Sequence, residues 1–194
     1  MSTIEILATA FGFISVYLTV KENVWLWLTG IVSVFFYIFV FYDAKLYSDM
    51  SLQIFYVFIQ IYGWYFWIYG GKKKNELPIS RLSKNGIIIW SIAAIAGTAI
   101  LGYGMKTYTN ASLPYIDAFQ TVLSVIAQWY LTKKIIDTWV LWITVDVVSL
   151  GLYLYKGLYL TTGLYAAFLI LAIMGLIEWR KTFLKQKTQP VRVA

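Results

Sequence analysis

Residues 138–155 read TWVLWITVDVVSLGLYLY. Apart from Asp146, every side chain in the stretch is apolar or weakly polar. A helix of this length rises about 27 Å, close to the thickness of a bilayer's hydrocarbon core. The stretch therefore reads as a membrane-spanning helix. Six others match it in character, at about 4–20, 24–42, 46–69, 86–105, 115–132 and 159–179. The predicted fold class is an all-α membrane protein with seven transmembrane helices.

The composition agrees. Hydrophobic residues make up 60% of the chain, where a soluble domain holds about 45–50%. Aromatic residues reach 19%, with 9 Trp and 16 Tyr; such rings belong at membrane interfaces and around flat ligands. Pro78, Pro114 and Pro190 all fall outside the spans, as helix continuity prefers. The first span has no basic segment before it and no small-residue cleavage site after it, so it is expected to stay in the mature protein. The chain has no Cys and no His. Disulfides, cysteine-ligated metals, His-based zinc sites and hydrolytic triads are thereby excluded. No cofactor and no enzymatic activity are expected.

The net charge of +7 has a topological meaning. With the N-terminus outside, thirteen of the 16 Lys and Arg residues fall in cytoplasmic segments, and only Lys45, Lys106 and Lys156 fall outside. That asymmetry is the positive-inside signature. It argues against a nucleic-acid partner and for the lipid bilayer.

The sequence also repeats weakly. An offset of 112 residues lays Trp27 on Trp139, Lys21 on Lys133, Gly63 on Gly175 and Trp67 on Trp179 without a gap. Three spans are repeated, and the span at 86–105 restores the direction of the chain. The expected plan is 3+1+3, two parallel repeats of SWEET-like three-helix bundles. The domain boundaries follow: a first bundle at 1–70, a loop and linker helix at 71–110, a second bundle at 111–182 and a cytoplasmic tail at 183–194. The shared glycines are expected to permit close helix approach, and the shared Trp67 and Trp179 to anchor at the cytoplasmic interface.

Candidate site residues lie where the repeat breaks. Trp139, Trp142 and Asp146 fall within roughly 60° of one another on a helix. Their counterparts are Trp27, Gly30 and Val34. The second copy thus adds a ring and a carboxylate, and an intramembrane carboxylate marks function by default; the bland reading is a carboxylate paired with a buried donor for packing. Gln53, Tyr56 and Gln60 share one helix face, and Gln53 matches Tyr165. Gln128 matches Val16. These carboxamides either bond one another across helices or furnish a polar pocket built by both halves. Two indoles and a carboxylate suit a flat, delocalised cation.

Several stretches together resemble the PnuC-type vitamin transporters: LYSDMSLQ at 46–53, YGWYFW at 62–67, AQW at 127–129, Lys133-Lys134, the W-x-x-W of Trp139 and Trp142, and KGLY at 156–159. The resemblance runs from about Asn23 to Trp179. It implies a bacterial inner-membrane protein, typically a homotrimer, that takes up nicotinamide riboside by facilitated diffusion, with trapping by a cytoplasmic kinase. Within it, Trp139 and Trp142 match the nicotinamide riboside branch; many members carry Asn at the position of Asp146. The alternatives are a thiamine transporter of the same family and a substrate-binding subunit of an ATP-driven importer.

Overall fold

The computed structural model describes residues 3–43, 47–70, 77–109, 111–155, 157 and 159–188. They form seven helices: α1 (Thr3–Val20), α2 (Leu26–Asp43), α3 (Tyr47–Tyr69), α4 (Lys84–Tyr108), α5 (Pro114–Thr132), α6 (Thr138–Tyr155) and α7 (Tyr159–Thr188). The expected Lys45, Lys72, Lys73, Lys74, Lys156 and Arg192, with Leu46 and Leu158 of the motifs, lie outside the described residues.

Five helices are long and apolar enough to cross a bilayer on composition alone: α1, α2, α4, α6 and Thr161–Thr188 of α7. The other two, α3 and α5, are the helices that carry Gln53, Gln60, Gln120 and Gln128. Polar faces of this kind need protein partners inside a membrane. Two ends differ from expectation. Helix α4 begins earlier and ends later, with the Ser83 hydroxyl capping it by accepting the Gly86 N–H at 3.1 Å. Helix α7 continues past Trp179 to Thr188, and a Lys181–Glu178 pair at 3.0 Å supports the exposed turn.

The residues group into two compact units. One comprises Met1–Ile79, Thr132–Lys134 and Met174–Ala194; the other comprises Ser80–Leu131 and Ile135–Ile173. At the centre of the first unit, Trp27 meets Trp67 edge-on, with ring centroids 5.5 Å apart. Trp67 in turn lies 5.9 Å from Trp179. The Trp179 indole N–H donates to the Thr19 carbonyl at 2.9 Å. All three indoles are buried, which corrects the expectation that Trp67 and Trp179 are interfacial anchors. The Trp179 N–H and the faces of Trp67 and Trp179 find partners within the protein, so the membrane interface is not needed to satisfy them. Gly63 is small for a concrete reason: a Cβ there would lie 2.3 Å from the Trp27 ring.

In the second unit, glycines on α4 accept side chains from α5. A Cβ at Gly102 would lie 2.4 Å from the Tyr115 ring, and Gly97 faces Val122. The segment before α4 is strapped to the turn before α6. There the Ile136 N–H donates to the Ser80 carbonyl at 2.9 Å, and the Leu82 N–H to the Asp137 carboxylate at 3.0 Å.

The turn after α1 and the turn after α5 match bond for bond. The Asn23 N–H reaches back to the Leu18 carbonyl at 3.0 Å, and the Ile135 N–H to the Tyr130 carbonyl at 3.0 Å. Such bonds close helix C-termini around a left-handed residue. Here that residue is Glu22 (φ 55°) in one turn and Lys134 (φ 51°) in the other. These are equivalent positions in the 112-residue offset. The side-chain braces also correspond. The Ser15 hydroxyl donates to the Leu26 carbonyl at 2.8 Å, and the Thr138 hydroxyl to the Ala127 carbonyl at 2.8 Å. The same two positions are joined in both halves, with donor and acceptor exchanged.

Candidate functional site

Helix α6 starts at Thr138, whose buried hydroxyl is bonded to the end of α5. This brace fixes the rotation of α6 about its own axis. From Trp139 onward, one stripe of the helix carries Trp142, Asp146, Ser149 and Tyr153 at alternating spacings of three and four. Trp139 is 2% exposed, Asp146 5% and Ser149 fully buried; Trp142 is half-buried. The stripe therefore faces protein.

Across from it, Gln120 on α5 donates through its amide nitrogen to the Ser149 hydroxyl. Tyr165 on α7 lies against the same stripe through Tyr153. The rings of Tyr153 and Tyr165 stack with centroids 5.1 Å apart and planes 26° from parallel. Phe168 meets Tyr165 edge-on at 6.2 Å. The result is an amide–hydroxyl pair on the stripe that carries the buried carboxylate, flanked by aromatic rings. Among the described residues no Lys or Arg forms an ion pair with Asp146.

Of the residues expected from sequence, the second unit thus sets Trp139, Trp142 and Asp146 on one stripe, with Tyr165 against it. Gln128 is half-buried on α5. Gln53, Tyr56 and Gln60 belong to α3 in the first unit. Gln53 and Tyr56 are half-buried, while Gln60 is buried. The Gln60 carboxamide oxygen occupies the notch above Gly30, where a Cβ would lie 2.0 Å from it. Gln60 thus lies against Gly30 within the first unit. The positions equivalent to Gly30 and Gln60 are Trp142 and Ala172, so the large and small residues are exchanged between the halves.

Sequence reasoning missed Gln120, Ser149 and Tyr153. The signal was present, because the three-and-four spacing of Trp139, Trp142 and Asp146 continues through Ser149 to Tyr153.

Helices of this number and apolarity, one of them bearing a buried carboxylate beside rings and hydroxyls, define an integral membrane protein with a polar interior site. The chain belongs to the family described as nicotinamide mononucleotide transporter, which it matches over residues 2–181. The nicotinamide riboside transporter PnuC of Escherichia coli (strain K12) is 23% identical over 204 residues, spanning 92% of this chain and 85% of that protein. The riboflavin/roseoflavin transporter RibM of Streptomyces davaonensis is 24% identical, spanning 90% of this chain and 83% of its own length. The crystal structure of the vitamin B3 transporter PnuC has the same fold, with a TM-score of 0.74, 24% identity and coverage of 94% of this chain and 82% of that one. The family and these relatives are transporters rather than enzymes.

Proposed function

We propose that the chain mediates uptake of nicotinamide riboside into a bacterial cell. The carrying observation is Asp146: a buried carboxylate on the indole stripe with no cationic partner among the described residues. An isolated charge in a membrane interior is expensive, and a cationic ligand offsets that cost. The pyridinium ring of nicotinamide riboside carries the matching charge and is flat enough to lie against Trp142. Its carboxamide and ribose hydroxyls suit the amide and hydroxyl groups of Gln120, Ser149 and Tyr165. Gln128 on α5 completes the proposed set within this unit, and Gln53, Tyr56 and Gln60 of α3 stay candidates on the sequence pattern alone.

The same carboxylate ranks the competitors. Riboflavin is neutral, and nicotinamide mononucleotide adds a phosphate whose negative charge opposes Asp146. Thiamine is a flat cation and is the second reading. A thermal-shift panel of these four compounds on purified protein decides among them, since a ligand of the native state raises its apparent stability. Nicotinamide riboside is expected to give the largest shift. A larger one with thiamine moves the assignment to the thiamine branch, and a larger one with riboflavin or the mononucleotide removes the charge argument.

In this reading the N-terminus is outside and the C-terminus cytoplasmic. Transport is facilitated diffusion by two parallel three-helix repeats that rock about a midplane site, and a cytoplasmic kinase traps the product. The matching turns at Glu22 and Lys134 support the repeat. Uptake by the protein alone in liposomes, insensitive to dissipated ion gradients, is the expected result. A requirement for an ATP-hydrolysing partner would overturn it. The assembly implied is a homotrimer, which native mass spectrometry checks.

Trp142→Ala is expected to weaken nicotinamide riboside binding by about 1 kcal/mol, the scale of one cation–π contact. Titration calorimetry measures it, and an unchanged affinity would remove Trp142 from the site.

A further inference from the structure

The turn between α5 and α6 presents two adjacent lysines to partners of the first unit. Lys134 Nζ lies 3.3 Å from the Glu22 carboxylate, with side-chain exposures of only 11% and 18%. The same ammonium sits 4.8 Å from the centre of the Trp67 ring. Lys133 Nζ lies 3.6 Å over the Phe66 ring and 4.7 Å over the Tyr62 ring, and it donates to the Tyr62 hydroxyl. The turn is thus seated by charge on the C-terminal end of α3 and on the turn after α1.

Three features are unusual for a permanent structural contact. A mostly buried ion pair adds little stability beyond an apolar contact of equal size, and its best-attested use is to set register or act as a switch. Both charged residues adopt left-handed backbone, a strain that concentrates at switch regions. Finally, the contacts are made by ammonium groups on flexible stems, which can leave an aromatic face and be hydrated.

We propose that the Lys133–Lys134 turn is a latch that docks on Glu22 and the aromatic face of α3 and must undock in each transport cycle. This rests on the reading of the chain as a transporter. It adds that the resting contact is a gate residue pair, not fixed scaffold.

The chain has no Cys, so introduced thiols are unique. In the first arm, E22C/K134C is reconstituted in liposomes and joined by a short, reducible thiol cross-linker. Uptake of nicotinamide riboside is expected to fall at least about tenfold when cross-linked and to recover on reduction. Full-rate uptake by the cross-linked protein overturns the latch. The second arm needs no substrate. Thr132 is fully buried beside the lysines, so T132C should react with maleimide only when the turn leaves its seat. Glu22→Gln is expected to speed that labelling about tenfold, and the exchange E22K/K134E to slow it again. Labelling unaffected by Glu22→Gln overturns the latch. If wild-type liposomes take up no nicotinamide riboside, the substrate assignment fails and the labelling arm alone decides the latch.

Discussion

Asp146→Asn is expected to weaken nicotinamide riboside binding by about 2–3 kcal/mol, roughly 30- to 150-fold in Kd, because in the proposed site it removes a buried charge set against a cationic ring. The substitution keeps the shape of the side chain and one accepting oxygen, so the loss of charge is its main effect. Two comparisons sharpen the result. Binding of neutral riboflavin, if measurable, should not weaken in the variant. Thermal stability of the ligand-free protein should stay the same or rise, since Asn has no buried charge to desolvate. If the carboxylate serves packing alone, its amide replacement leaves affinity where it was, and calorimetry on the purified variant would show that.

The second large effect concerns the fold. Trp27→Ala removes the ring that fills the space between α2 and α3, and should destabilise the protein by about 3–5 kcal/mol. Gly63→Ala attacks the same contact from the other side, by placing a methyl group 2.3 Å from that ring. Neighbouring substitutions of this kind do not add. With the ring gone, the extra methyl has room, so Gly63→Ala in the Trp27→Ala background should cost less than it does alone. Unfolding in detergent, followed by tryptophan-independent far-ultraviolet circular dichroism, measures the cycle. Strict additivity would mean that the two residues do not meet.

The spans were legible because lipid selects long apolar runs, and even α3 and α5 kept enough rings to be found. Their carboxamides were visible too, but not what each one does. Gln60 and Gln53 have similar neighbours in sequence, yet Gln60 fills the notch at Gly30, a contact that depends on a helix thirty residues away. Trp67 and Trp179 were misread for a similar reason. An indole near a span end suits an interface equally well until the Thr19 carbonyl and the neighbouring rings are in place. The pairing of Glu22 with Lys134 was not legible in the repeat. A repeat shows itself in like residues at like positions, and here the equivalent positions carry opposite charges and touch.

The exchange of sizes between Gly30 with Gln60 and Trp142 with Ala172 also bears on ancestry. Under the proposed duplication, one descendant fills its glycine notch with a carboxamide while the other places a broad indole at the glycine's position. The halves would then be unequal siblings: a chain built from two copies of the later half would carry two of the proposed seats for cargo, and one built from two copies of the earlier half none.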